Sequence, residues 1–279
     1  MRVGRWLSTA LPLLLCLAVY ILAQQRLTGR TVALASPELL ISLPRFAQVL
    51  LAGGDRHLAA NLAGFRVLVA DTGRMKAEDY AVQGRLQRDI AWFNPVHEDN
   101  FYIGAAILPW NGQVDAAQYV LAKASAARVF DWYPLFHYAF IHYHFRKDPV
   151  TGARYLLEAV PRATSPQDQW ALQSLAAAWI EKGYNTASAA GMVRAMAANT
   201  PPGGFRRYLE GRAQRLQDLV ALQEAAARFT ERHGRRPGRL QELVDNGLIA
   251  AIPADPFGYG FGLDASGWPI LNTQAPTSK

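Results

Sequence analysis

Asp89-Ile90-Ala91-Trp92-Phe93-Asn94-Pro95, followed after five residues by Phe101-Tyr102-Ile103-Gly104-Ala105, is the stretch of this 279-residue chain that decides its fold. It reads as the end of one helix, a proline stop and the small-residue centre of the next. Working outward, Ala81, Ala117, Ala153 and Ala189 stand 36 positions apart. A fixed period in the thirties marks stacked helix–turn–helix units, each alanine lying in a second helix. The first helices supply Leu68 and Val69, Gly104 and Ala105, Phe140 and Ile141, Ala176 and Ala177 at the matching offsets. These residues are small or apolar, as close helix crossings require. Beyond each alanine the apolar stripe continues through Leu121, Leu157 and Val193. The first unit has Arg85 and Arg88 there and carries its stripe on Leu86 and Ile90 instead. Asn94-Pro95, Ser165-Pro166 and Pro201-Pro202 punctuate the units. The predicted fold class is therefore mainly α: an α-solenoid of about four units over residues 37–215.

Composition sets the outer bounds. Hydrophobic residues make up 51% and the formal charge is +7. Residues 1–30 hold Arg2, Arg5, Arg26 and Arg30 without an acid, which leaves only +3 on the rest. A nucleic-acid footprint needs a clustered basic stripe, and no nucleic-acid partner is expected. Cys16 is the single cysteine and excludes an internal disulfide or a thiolate metal cluster. Leu7 to Ala23 is uncharged and apolar, near the lower length limit for a transmembrane helix. Residues 1–30 therefore read as an uncleaved anchor and its flank, with the bulk of the chain outside the cytoplasm. Cleavage after Ala23 or Ala35, and inverted topology, are the alternatives.

Beyond the repeats, a basic amphipathic helix runs from about Phe205 to His233, and Gly234-Arg235-Arg236-Pro237 breaks it. Leu240 to Asn246 reads as a short helix capped by Gly247. Phe261 to Leu271 reads as a β-hairpin turning at Asp264 to Gly267. Residues 216–279 are thus expected as a basic helix plus a small α/β hairpin cap.

The repeat pattern resembles tetratricopeptide repeats, whose units carry a small residue in each helix and a proline at the exit. The resemblance implies a concave groove lined by first-helix side chains, able to hold a peptide or a helix. The clamp asparagines of carboxylate-binding members are not evident, and Asn61 and Gln173 do not repeat. More narrowly, Leu62 to Leu108 is similar to single-pass inner-membrane repeat proteins of Gram-negative bacteria, which implies a periplasmic location for the bulk of the chain. The C-terminal block, through Leu240, Leu243, Gly247, Leu248, Pro253, Asp255, Pro256, Phe257 and Gly258, resembles the C-terminal region of the type II secretion major pseudopilin. It departs from that family in lacking an acid in the N-terminal apolar segment.

Candidate chemistry is sparse. On a helix, His137 and His144 share a face about 10 Å apart, while His142 points elsewhere. No carboxylate falls at ligand spacing, although His97-Glu98 occupies a nearby turn. No nucleophile elbow, phosphate loop or carboxylate pair is visible, and neither a cofactor nor catalysis is expected. The surface residues singled out for partner binding are Phe101, Trp110, Trp132, Tyr133, His137 and His144, with Arg232, Arg235 and Arg236 of the arginine run Arg228 to Arg239. The expected role is a non-catalytic, membrane-anchored scaffold for protein partners of an envelope assembly, such as a pilus, secretion or exopolysaccharide system. A glycan-binding or accessory enzyme subunit using exposed aromatics is the alternative, and a metal or haem carrier through His137, His142 and His144 is a third.

Overall fold

The computed structural model describes residues 15–25 and 41–273. Residues 15–25 are helical with exposed side chains. The rest of the expected anchor, including residues 7–14, lies outside the described residues. Among those described, no helix is long and apolar enough to cross a membrane.

From Arg45 the chain is mainly helical: α1 (Arg45–Leu51), α2 (Arg56–Leu68), α3 (Ala77–Phe93), α4 (Glu98–Ile107), α5 (Val114–Ala127), α6 (Tyr133–His144), α7 (Pro149–Ala159), α8 (Pro166–Gly183), α9 (Thr186–Ala198), α10 (Gly204–His233) and α11 (Gln241–Asp245). Strands β1 (Phe261–Leu263) and β2 (Pro269–Leu271) pair antiparallel, with Phe261 opposite Leu271. Consecutive helices from α2 to α10 pack on one another, and α3 also packs on α5.

Local chemistry fixes the helix starts. The Asp55 carboxylate accepts from the backbone N–H of His57 and Leu58, capping α2. Asp148, Ser165 and Asn185 accept from Thr151, Asp168 and Ser188 in the same way for α7, α8 and α9. Pro149 and Pro166 follow directly at the first helical position, where a missing N–H costs nothing.

The four period-setting alanines fall in α3, α5, α7 and α9. Ala117, Ala153 and Ala189 are completely or almost completely buried. Ala177, Ala176 and Ile141 occupy the crossings expected of them. Leu68 and Val69 do not: both are exposed, and Ala59, Ala60, Ala63 and Val67 form that contact instead. The reason is register, because α2 ends at Leu68 and a loop of eight residues, 69–76, precedes α3. In the same unit Leu86 and Ile90 are buried while Arg85 and Arg88 face out.

Close approach decides two glycines. A Cβ on Gly152 would lie 3.0 Å from the Trp179 ring and 3.1 Å from the Ala139 carbonyl, so α6, α7 and α8 meet there. A Cβ on Gly104 would lie 2.9 Å from Gln87 Oε1.

The largest core joins α6 to α10 through Leu135, Leu156, Leu172, Ile180, Val193 and Leu209. Helix α10 runs uninterrupted across position 215, so the expected boundary between residues 37–215 and 216–279 falls inside one helix. Its second half carries the hairpin through Leu222, Phe229, Leu243 and Phe261. Asp255 is the fastener. Its carboxylate pairs with Arg215 at 3.0 Å, accepts from the backbone of Phe257 and Gly260, and is 1% exposed. Asp264 accepts from Ser266 and Trp268 and so builds the hairpin turn.

Candidate partner-binding surface

The first-helix residues divide into a buried set and an exposed set. Tyr102 on α4 and Tyr133 on α6 have ring centroids 6.0 Å apart, and Tyr102 meets the His137 ring edge-on at 6.0 Å. One and two turns further along α6, Phe140 stacks on His144 at 5.3 Å. Trp110 then meets His144 at 5.2 Å and Phe145 at 4.8 Å. Tyr143 stacks on Trp179 of α8 at 4.3 Å, and the Lys182 ammonium donates to its hydroxyl at 2.6 Å. Trp110 is 58% exposed and Tyr133 41%, so a partner would touch these rings. Trp132 is half-buried, packed against the main core and stacked on Tyr133.

Phe101 is a correction: it is fully buried, with the Arg128 guanidinium 5.3 Å from its ring, and takes no part in a surface. Its neighbour Tyr102 is the exposed member of that pair.

The histidines stay apart chemically. Burial lowers the pKa of His137 below its ordinary 6.5, against the opposing pull of Asp131. Burial also lowers that of His142, with Asp148 opposing. His142 Nε2 lies 3.1 Å from the Gln118 amide nitrogen, an arrangement that suits the neutral ring as acceptor. Gln118 is held in turn by Arg146, which pairs with Asp115. Among the described residues no three His, Cys, Asp or Glu side chains converge as a metal would need.

The arginine run is largely engaged within the chain. Arg235 pairs with Glu242 at 2.7 Å and covers the Phe229 ring. Arg236 donates to Ser266 and covers Trp268. Arg239 lies 3.6 Å from Asp245, and Arg228 donates to the Leu248 carbonyl. These side chains hold the hairpin cap against the end of α10. Arg232 is exposed on that helix.

The resemblance implied a groove lined by first helices; the concavity observed is lined instead by the second helices α7 and α9 together with α8. A cavity of about 480 Å³ opens between α7, α8 and α9. Leu157, Ile180, Met192 and Met196 give it apolar walls, and Gln173 and Asn199 add polar groups. Gln173 Oε1 is buried without a hydrogen-bond partner. The volume suits a large side chain or a short segment of helix, and two methionines make adaptable walls. Outside the cavity, Trp170 of α8, 45% exposed, stacks on Phe205 of α10.

Comparison with protein-family models, with curated proteins and with solved structures returns no match.

Proposed function

We propose that the chain is a non-catalytic scaffold of tetratricopeptide-like α-solenoid build, held at the bacterial inner membrane by residues 7–23 with its bulk in the periplasm. Its client is a protein partner of an envelope assembly. The observation that carries this reading is the cavity between α7, α8 and α9, apolar-walled, with one unsatisfied acceptor on Gln173. An amphipathic helix or peptide would insert an apolar side chain there and donate a hydrogen bond to Gln173. The exposed rings of Trp110 and Tyr133 extend the surface that such a partner would cover.

The test is site-specific photocrosslinking in native membranes from Ala195, an exposed residue at the cavity edge. Capture of one discrete protein, abolished when Met196→Trp fills the cavity, supports the scaffold. Absence of a protein adduct, together with saccharide binding by the purified chain that Trp110→Ala removes, would transfer the reading to the glycan-binding alternative.

A further inference from the structure

Helix α2 is built inside out. Its inward face carries Ala59, Ala60, Ala63, Gly64 and Val67, all buried. Leu58, Leu62, Phe65 and Val69, at spacings of four, three and four, form one narrow stripe on the opposite side. They are 45%, 51%, 65% and 44% exposed. A helix apolar on both faces belongs between two apolar surroundings, and the described residues supply only one of them. Helix α1 repeats the pattern, with Phe46 and Leu50 about three-quarters exposed. The Arg66 guanidinium donates to the Ile41 carbonyl at 2.6 Å, which closes the open end of the α1–α2 hairpin.

Charge identifies what covers this hairpin. Residues 41–70 hold three arginines, Arg45, Arg56 and Arg66, and one acid, Asp55, a net +2 on the hairpin itself, with Arg45 paired to Asp89; the anchor flank before it adds four arginines. An apolar stripe with arginine at its margin and few acids nearby matches an anionic lipid surface better than an acidic-and-basic protein surface. Position in the chain agrees. Only residues 26–40 separate the helical residues 15–25 from Ile41, and such a link reaches about 55–60 Å at most.

We infer that the α1–α2 hairpin is a second membrane contact, its Leu58–Leu62–Phe65–Val69 stripe lying in the headgroup–acyl boundary of an anionic bilayer. This rests on the membrane anchoring proposed above. The contact fixes the orientation of the folded body, because a single tether alone would leave it free to tumble.

The full chain, reconstituted in vesicles of phosphatidylethanolamine and phosphatidylglycerol, tests it with environment-sensitive fluorophores. One sample is labelled at native Cys16. Two others, in a Cys16→Ser background, are labelled at Phe65→Cys or, as an exposed control on α9, Ala198→Cys. Nitroxide lipids spin-labelled near the headgroup should quench the residue-65 label about twofold and leave the residue-198 label unchanged, as expected for a helix lying roughly 5–10 Å deep. Replacing phosphatidylglycerol by phosphatidylcholine should reduce that quenching. If the Cys16 label is quenched and the residue-65 label is not, the hairpin contact is wrong and the anchor stands. If the residue-65 label is not quenched by headgroup nitroxide and the Cys16 label is not quenched by lipids spin-labelled deep in the acyl chain, both fall. A residue-65 label shielded from aqueous iodide yet unquenched by lipid would show a protein cover instead. Concentration dependence would then identify a second copy, and its absence the chain's own residues 26–40.

Discussion

The two ends of the helical array solve opposite problems. Around α6 to α10 large side chains turn inward: Leu135, Leu156, Trp179, Ile180 and Leu209 are buried together, and the hairpin cap closes the array's end. On α1 and α2 the small residues turn inward and many large ones outward, against the buried Leu86, Ile90 and Phe93 of α3. The polar residues differ too. Gln83, Gln87 and Asn100 are buried between α3 and α4, where both amide atoms of Gln87 lack partners. The C-terminal half gives its buried Asp255 carboxylate an ion pair and two backbone N–H donors, and leaves Gln173 Oε1, and Arg215 Nε within that ion pair, without a hydrogen bond. One end buries its large side chains within the described residues, and the other leaves an apolar stripe open on α2.

The largest effect should come from breaking the cap. Asp255→Ala removes the ion pair with Arg215, which keeps its bond to the Asn272 carbonyl, and frees two backbone N–H groups, a loss of about 2–4 kcal/mol measurable by urea denaturation. The matching change at the other end, Asp89→Ala, removes the 2.6 Å pair with Arg45 and the bond from Gln48. Arg45 is 39% exposed, so water replaces the partner and the loss should be about 1 kcal/mol. Equal losses would erase the proposed difference between the ends.

Packing gives the next largest contrast. Gly152→Ala drives a methyl into the Trp179 ring and the Ala139 carbonyl, and should cost about 1–3 kcal/mol by thermal denaturation. Gln87→Met should act in the opposite direction. It replaces an unpartnered buried amide with an apolar group of similar volume and should stabilise by about 1 kcal/mol.

The smallest effect is a pH dependence. His137 and His142 both have folded-state pKa values below 6.5, so the unfolded chain binds protons first as pH falls. Their contribution to stability is complete above about pH 6.5 and is lost as pH drops below that value towards each folded-state pKa. Melting temperature followed from about pH 7 to about pH 5 should decline, and His137→Gln should flatten part of the slope.

The sequence showed the helices better than it showed their faces. The 36-residue alanine spacing placed α3, α5, α7 and α9 correctly because a close crossing tolerates only a small side chain. The hairpin was legible in Asp264 to Gly267, where one carboxylate and one glycine make the turn. Exposure was harder. Phe101 and Tyr102 are adjacent aromatics, one fully buried and one not, and only the rotation of α4 distinguishes them. The arginine run read as a surface because its partners Glu242, Asp245, Ser266 and Trp268 arrive from later in the chain. The cavity was invisible for the same reason, being assembled from α7, α8 and α9. The α2 stripe, by contrast, was present in plain spacing at Leu58, Leu62, Phe65 and Val69. It was hidden by the expectation that large apolar residues mark the inward face.

Hydrogen exchange of the full chain, compared in detergent and in anionic bilayers, tests the contrast most directly. Amides of α7 to α10 should exchange slowly and equally in both, while those of α1 and α2 should be fast in detergent and gain protection in the bilayer. Equal protection of α1 and α2 in both settings, or first opening in α7 to α10, would contradict the account.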